Sequence, residues 1–154
     1  MLKAVSRLSI DRDASIMFVL DTNVISELRH GKPNQSPQVR SWAANQPAQQ
    51  LFLSAITMLE LERGVQALER RTPPQGSALR AWLRSVRQAF SGRILPFTDI
   101  TASLCASLHL PNPRGERDAM IAATALEHGF AVVTRNVSDF ENTGVALINP
   151  WIVY

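Results

Sequence analysis

Short apolar runs alternate along this chain with longer segments in which apolar residues recur at helical spacing. The apolar runs predict strands at residues 17–20, 51–53, 94–97, 130–134 and 145–148. The periodic segments predict helices at residues 23–29, 37–45, 57–68, 77–90, 99–108 and 117–128. Short strands that alternate with helices are typical of an α/β fold in which helices cover both faces of a mostly parallel central sheet.

The pattern also divides the chain. Residues 1–16 mix charged and apolar positions without a clear period, so we interpret them as a flexible N-terminal extension. Residues 17–151 form one predicted domain, followed by a C-terminal tail at residues 152–154. A chain of 154 residues that is 45% hydrophobic can bury a core within a single domain. Its single cysteine, Cys105, lies in an apolar helical pattern and is interpreted as a buried small hydrophobe.

No apolar run is long enough for a membrane helix, and the N-terminus lacks the apolar core of a signal peptide. We therefore expect a cytoplasmic protein without a membrane partner. The net charge is +3, and almost all of the positive charge is arginine. Arg80, Arg84 and Arg87 recur at helical spacing and predict a basic outer helix face. Polyanion binding and simple solvation both remain open for this face.

Oxygen-bearing side chains stand where apolar segments meet a helix or a turn. These residues are Asp21, Glu60, Asp118 and the pair Asn136 and Asp139. In open α/β sheets, ligands bind beyond the carboxyl ends of the strands. Carboxylate and amide oxygens suit hard cations, so the pattern predicts a site for Mg²⁺, with Mn²⁺ as an alternative.

Each acid also has a structural interpretation. Asp21 has the placement of a helix N-cap, and Asp118 lies in a first helical turn where the macrodipole favours negative charge. Glu60 follows Thr57 at capping-box spacing, and Asp139 fits a turn. The spacing alone does not choose between these interpretations and a functional site.

Five ordered segments carry a family resemblance. They are MFVLDTNVISE, LSAITMLELERGV, GRILPF, DAMIAATA and VTRNVSDF, followed by a terminal NPW. Together they resemble the PIN-domain nucleases, and more narrowly the VapC/FitB-type toxins of bacterial toxin–antitoxin pairs. The resemblance implies a PIN-like three-layer α/β/α fold and a Mg²⁺-dependent endoribonuclease that leaves a 3′-hydroxyl and a 5′-phosphate.

The resemblance also assigns roles to residues. It implies that catalysis and metal binding depend on Asp21, Glu60 and Asp118. The fourth family position is open between Asn136, an amide, and Asp139, a carboxylate. Asn23 and Thr134 are implied to orient the ligands and water.

The partners implied by the resemblance are an RNA substrate, a cognate antitoxin that covers the site, promoter DNA bound through that antitoxin, and a second copy of the chain. We expect apolar helix positions to anchor the antitoxin, namely Val39, Trp42, Leu61 and Val65.

Three other functions are weighed. A phosphatase of the haloacid-dehalogenase type needs an aspartate where this chain has Asn23. A phosphoacceptor module needs a lysine late in the chain, but no lysine follows Lys32. A PIN fold that serves only as a binding module stays open because position 136 is an amide.

Overall fold

The protein is described here by a computed structural model that covers residues 16–152. The order of its regular elements is β1 (Phe18–Leu20), α1 (Thr22–Glu27), α2 (Pro37–Ala44), β2 (Leu51–Ser54), α3 (Ala55–Arg71), α4 (Pro73–Ala89), β3 (Ile94–Leu95), α5 (Asp99–Leu108), α6 (Glu116–His128), β4 (Ala131–Val133) and β5 (Leu147–Ile148). Short 3₁₀ turns at Ala48–Gln50 and Val137–Phe140 precede β2 and β5. The predicted alternation of strands and helices is confirmed.

The five strands form one sheet in the order β3-β2-β1-β4-β5, and every neighbouring pair is parallel. The central strand β1 pairs with β2 on one side and with β4 on the other. The chain therefore adds strands outward from β1 in two directions. The point where the order reverses lies between β1 and β4, and it opens a crevice at their carboxyl ends.

Alternate residues of β1 face two separate cores. Phe18 and Leu20 pack against the layer formed by α1–α4. Val19, with no exposed surface, packs against Ile121 and other residues of α6 on the opposite face. This alternation follows from the two-residue period of a strand. The result is the expected three-layer α/β/α arrangement.

The start of α3 corrects one sequence-based interpretation. The helix begins at Ala55, and the hydroxyl of Ser54 accepts a hydrogen bond from the backbone N–H of Thr57 at 3.0 Å. Thr57 is therefore inside the helix, and the capping box between Thr57 and Glu60 is wrong. Ser54 was the better N-cap candidate because a serine directly after a buried strand can supply its own side-chain acceptor.

The segment between α3 and α4 is shorter than predicted. Helix α3 runs to Arg71, and α4 begins at Pro73 after the single residue Thr72. Proline is tolerated at the first helical position because its N–H would lack a partner there in any case. Gly76 lets the two helices approach closely, since a Cβ at this position would lie 2.4 Å from the Glu69 Cα.

The predicted basic outer face of α4 is partly paired with acids of α3. Arg80 bridges Glu62 and Glu69 of α3, with a shortest N–O distance of 2.8 Å to each carboxylate. Arg87 lies 3.5 Å from Glu62. These guanidinium groups pair α4 with α3, so only part of the predicted face remains free for a polyanion.

Cys105 is buried, as expected.

Other predictions concern the ends of strands and helices. Strand β3 ends at Leu95 rather than at residue 97, because Pro96 has no N–H to donate to the sheet. Gly129 ends α6 in the left-handed conformation, with φ 69°. Within residues 16–152 no helix is long and apolar enough to cross a membrane.

The predicted N-terminal extension lies outside the described residues, except for Ile16. Ile16 packs partly buried against the α1–α4 core. The predicted tail is described only at Ile152, which is exposed.

Candidate functional site

Asp21 lies at the point where the strand order reverses. Its backbone N–H donates to the carbonyl oxygen of Val133 at 2.9 Å, which continues the pairing of β1 with β4 by one residue. Thr134 follows β4 directly and has no exposed surface. The two buried polar side chains are thereby placed side by side at the carboxyl edge of the sheet.

Three hydrogen bonds orient the Asp21 carboxylate. Oδ1 accepts from the backbone N–H of Thr22 at 2.8 Å, and Oδ2 accepts from the Thr134 hydroxyl at 2.8 Å and from Asn23 Nδ2 at 3.2 Å. Burial raises the pKa of Asp21, the hydrogen bonds from Thr134 and Thr22 oppose that rise, and the charges of Glu60 and Asp139 add to it. The contacts occupy both lone-pair sites of Oδ2 and leave one lone pair free on Oδ1.

Glu60 projects from α3 towards the same edge. Its Oε1 accepts a hydrogen bond from the Thr22 hydroxyl at 2.9 Å, and its Oε2 lies 3.5 Å from Arg117 Nη1. Thr22 Oγ1 also lies 3.2 Å from Thr57 Oγ1. Because Glu60 is the sixth residue of its helix, its carboxylate cannot cap the N-terminus and is free to serve the site.

Asp118 enters from the first turn of α6. Burial raises its pKa to about 6, and the charges of Asp139, Asp21 and Glu60 add to the rise, while Arg117 opposes it. The preceding Gly115 leaves room for this side chain, since a Cβ there would lie 3.0 Å from Asp118 Oδ2. The charges of acids from four separate segments therefore interact at this edge. These acids are Asp21, Glu60, Asp118 and Asp139.

Asp139 and Asn136, the two candidates for the fourth family position, have different surroundings. Asp139, in the 3₁₀ turn after β4, is close enough to raise the pKa of both Asp21 and Asp118. The backbone N–H of Asn136 donates to the Thr134 hydroxyl at 3.0 Å, but its side-chain amide makes no hydrogen bond to any residue in 16–152. Asp139 thus adds charge to the cluster, whereas Asn136 offers only a neutral oxygen.

Thr134 and Asn23, which the family resemblance implies as orienting groups, both donate hydrogen bonds to Asp21. Thr134 Oγ1 connects Asp21, Asn136 and Asn23, the last at 3.4 Å. Asn23 also accepts the backbone N–H of Arg135 on its Oδ1 at 3.2 Å. These bonds tie the loop after β4 to the loop after β1.

The donor chemistry of this edge suits a hard divalent cation, because the charged donors are carboxylates and one neutral amide lies beside them. Within residues 16–152, however, no three acidic, histidine or cysteine side chains are arranged to hold one ion as they stand. Glu60 is held by Thr22 and Arg117. Binding one ion with all three family acids therefore requires side-chain rotation.

Sequence reasoning missed two residues of this site. Thr22 holds Glu60 in place, and Arg117 is paired with it. Thr22 had a detectable signal because it follows Asp21 directly in the strand-end motif. Arg117 had none, since a single arginine in the first turn of a helix is indistinguishable in sequence from a solvated residue.

A cleft of about 400 Å³ adjoins Glu60 and is lined by residues of α1, α3 and α4 and of the loop after α1. Its lining residues are Thr22, Ser26, Arg29, Lys32, Glu60, Leu61, Gly64, Leu68, Leu79 and Trp82. Of the predicted anchor positions only Leu61 lines it. Val39 and Val65 have no exposed surface, so they belong to the core and cannot contact a partner.

Comparison with known proteins identifies the family of this chain. The family described as PIN domain matches residues 18–145. This chain belongs to the PIN domain family. The match contains β1 to β4 and every acid discussed above, so the family relationship covers the whole candidate site.

Relatives with a described role are similar over nearly their full length. The chain is 42% identical over 144 residues to the VapC ribonuclease Y4jK of Sinorhizobium fredii, covering 88% of this chain and 98% of that protein. It is 37% identical over 141 residues to Toxin FitB of Neisseria gonorrhoeae, covering 88% and 99%.

A solved structure shows the same fold. The crystal structure of FitAcB from Neisseria gonorrhoeae superposes with a TM-score of 0.79 at 36% identity, covering 89% of this PIN domain protein and all of that chain. A structure of FitAB bound to a DNA fragment gives a TM-score of 0.80 at 34% identity, covering 90% and 98%.

Proposed function

We propose that this PIN protein is a Mg²⁺-dependent endoribonuclease, the toxin of a toxin–antitoxin module. The observation that carries the proposal is the set of four mutually repelling acids at the carboxyl edge of the sheet, two of which have raised pKa values. Such a cluster is costly without a cation. Its relatives include proteins named as a VapC ribonuclease and as a toxin.

The chain's own residues would divide the work. Asp21, Glu60 and Asp118 hold the ion, and Thr134 and Asn23 fix the orientation of Asp21. A divalent cation bound there supplies positive charge to the phosphodiester and lowers the pKa of the attacking water. Asp139 adds the fourth carboxylate, and Asn136 an amide that can orient water.

The nuclease is tested by incubating the purified protein with an end-labelled single-stranded RNA. We expect cleavage in Mg²⁺ or Mn²⁺, none in EDTA, and products with a 3′-hydroxyl and a 5′-phosphate. Asp118→Asn, purified identically, controls for contaminating nucleases because it keeps the size of the side chain. Equal cleavage by the parent and this variant would refute the proposal, while RNA binding without cleavage by either would favour the binding module.

We further propose that a cognate antitoxin silences the enzyme from the cleft beside Glu60. Its apolar wall of Leu61, Leu79 and Trp82 suits the apolar face of a short helix, and the adjacent acids attract an arginine or lysine. An antitoxin so bound would also carry the complex to promoter DNA. The proposed site of action is the cytoplasm, where RNA is exposed.

The antitoxin proposal is tested by co-expressing the chain with the product of the adjacent small gene. We expect a stable complex without ribonuclease activity that binds its own promoter. Gly64→Glu places a charge in the cleft wall and should release active enzyme from that complex. A complex that forms equally well with this variant would place the antitoxin elsewhere.

A homodimer is the remaining partner proposal. An apolar surface on and after α5 supports it, since Ile100 is 61% exposed and Leu110 is 74% exposed. Light scattering should give twice the chain mass, and Ile100→Glu should give the monomer. A parent protein that remains monomeric at high concentration would refute this proposal.

A further inference from the structure

Within residues 16–152, two arginines stack on aromatic rings, and they differ in what their N–H groups contact. Arg93 Cζ lies 4.9 Å from the centre of the Phe90 ring, and its guanidinium donates to the backbone carbonyls of Ala48, Leu51 and Ala89. Together these bonds connect the end of α4 with β2 and with the 3₁₀ turn before it. Arg93 is therefore a structural arginine, with three of its five N–H donors used within the fold.

Arg135 also stacks on an aromatic ring, but its guanidinium lacks the hydrogen-bond acceptors that Arg93 has. Its Cζ lies 5.3 Å from the centre of the Trp151 ring, and the residue is exposed. Within residues 16–152 its guanidinium forms neither a hydrogen bond nor an ion pair. Arg135 contributes to the lowered pKa of Glu27, but Glu27 is already paired with Lys32 at 2.8 Å and with the backbone N–H of Ser36 at 2.7 Å.

Hydrogen bonds fix this exposed arginine relative to the acids. The backbone N–H of Arg135 donates to Asn23 Oδ1, and Asn23 Nδ2 donates to Asp21 Oδ2 at 3.2 Å. On the other side, Asn149 Nδ2 donates to the carbonyl oxygen of Arg135 at 3.4 Å, and Asn149 Oδ1 accepts the backbone N–H of Trp151 at 3.0 Å. One hydrogen-bond network thus connects Asp21, Arg135 and Trp151.

RNA binding near these acids requires a positively charged group close to this hydrogen-bond network. The acid cluster repels the phosphate backbone of RNA, and a cation within the site neutralises only the region that it contacts. A guanidinium presents several N–H donors in a planar fork that matches a phosphate, and stacking on an aromatic ring limits its freedom before binding. A second phosphate along the strand would meet this fork at the rim of the site.

We propose that Arg135, positioned by Trp151, is a phosphate-binding subsite for single-stranded RNA next to the acid cluster. The inference rests on the proposed ribonuclease function. Arg135 contacts the RNA directly, and Trp151 acts as a positioning residue through the stack. The open side of the guanidinium plane also offers a surface on which an unstacked base can lie.

The test is fluorescence anisotropy of a labelled single-stranded RNA of mixed sequence, measured in EDTA over a series of KCl concentrations. Arg135→Ala should weaken binding about tenfold, since it removes a charge-assisted hydrogen-bonding group, and should lower the salt slope by about 0.7 to 1. Arg84→Ala is the matched control, because Arg84 is an exposed arginine on α4 without a hydrogen bond to any residue in 16–152.

Trp151 gives the second arm. Trp151→Ala should weaken binding by a smaller factor than Arg135→Ala while leaving the salt slope unchanged, because the charge remains but is less well positioned. Since Trp151 also packs against the core, melting temperatures are measured in parallel. Trp151→Phe keeps an aromatic ring and should restore most of the affinity, which a purely structural role in the fold does not require.

The outcomes separate this inference from the nuclease proposal. Equal RNA affinity and salt slope for Arg135→Ala and Arg84→Ala overturn the subsite even if the parent cleaves RNA. Absence of RNA binding by the parent chain also overturns it. A selective loss of binding in Arg135→Ala supports the subsite even if no condition yields cleavage.

Discussion

Helix α3 contributes acids to two clusters that behave in opposite ways. Glu60 points to the carboxyl edge of the sheet, where it joins Asp21 and Asp118 and faces one guanidinium at 3.5 Å. Glu62, two residues later, points to α4 and receives two bonds from Arg80, at 2.8 and 2.9 Å. Two residues turn a helix far enough to place these carboxylates on different faces.

The titration of the two clusters reflects this difference. Hydrogen bonds from Arg80 lower the pKa of Glu62 and of Glu69. At the sheet edge, burial first and neighbouring acids second raise the pKa of Asp21 and Asp118. The paired cluster, Glu62 and Glu69 with Arg80, stabilises the folded chain. We call the acids at the sheet edge the unpaired cluster because Asp21, Asp118 and Asp139 have no ion-pair partner within residues 16–152, although Glu60 faces Arg117. This cluster stores repulsion that a cation can relieve. We therefore propose a functional role for the costly cluster and a stabilising role for the satisfied one.

The largest effect is expected from removing one charge of the unpaired cluster. Asp118→Asn should reduce cleavage by about a thousandfold or more, since the ion and the acids act as a unit. Its melting temperature in EDTA should be unchanged or higher, because repulsion with Asp21 and Asp139 is removed. Cleavage assays and thermal unfolding of the same preparation check both halves. A folded variant that retains full turnover would contradict the assignment.

A matched pair on α3 sharpens the comparison. Glu60→Gln should lower cleavage by about a hundredfold with little change in melting temperature. Glu62→Gln should leave cleavage intact and lower the melting temperature by about 2–4 °C, because Arg80 loses a charged acceptor. Both variants make the same chemical change two residues apart. Similar behaviour of the two in either assay would remove the distinction between the clusters.

Arg80 tests the paired cluster alone. Arg80→Ala should lower the melting temperature more than Glu62→Gln does, since it leaves both Glu62 and Glu69 without their shared partner. Arg84→Ala, four residues along the same helix, is the control for loss of a positive charge. Cleavage should be unaffected in both variants. A drop in turnover for Arg80→Ala with an unchanged melting temperature would place this arginine in substrate binding instead.

The smallest effect is a difference in pH dependence. The folded-state pKa of Asp118, about 6, lies above the usual 3.8, so the folded state binds more protons than the unfolded state between these values. The free energy of unfolding in EDTA should therefore fall as pH rises from about 4 to about 6, by roughly 1 kcal/mol after solvent screening.

The paired cluster has the opposite effect on the pH dependence of the free energy of unfolding. The lowered pKa values of Glu62 and Glu69 give stability that is present above about 4.5 and lost as pH falls below it. Chemical denaturation at a series of pH values should show the fall between 4 and 6 in the parent and a flatter curve in Asp118→Asn. Identical curves would mean that Asp118 does not carry the repulsion assigned to it.

The sequence predicted much of this architecture because short-range physics determines it. Strand-end acids are detectable where an apolar run stops, as at Asp21, and Gly129 marks a helix end by its backbone freedom. The predicted start of α3 was wrong because two residues that can cap a helix, Ser54 and Thr57, lie three positions apart. The sequence spacing does not show which of them directly follows the strand and caps the helix.

Long-range pairing explains the remaining differences. Arg80 meets Glu62 and Glu69 only because Gly76 brings α4 against α3, and the arginine spacing alone could not distinguish that pairing from an RNA-binding face. Arg117 and Glu60 are distant in sequence, so their ion pair had no local signal. The membership of the acid cluster was predictable, but the side-chain orientations within it were not.

Binding of Mn²⁺ tests the central claim most directly, namely that the unpaired acids at the sheet edge form a divalent cation site. Calorimetric titration at pH 7.5 should show Mn²⁺ binding to the parent, binding at least about tenfold weaker in Asp118→Asn, and unchanged binding in Glu62→Gln. The affinity of the parent should also rise as pH is raised through about 6, the pKa of Asp118. Equal Mn²⁺ affinity in the parent and in Asp118→Asn would contradict the account.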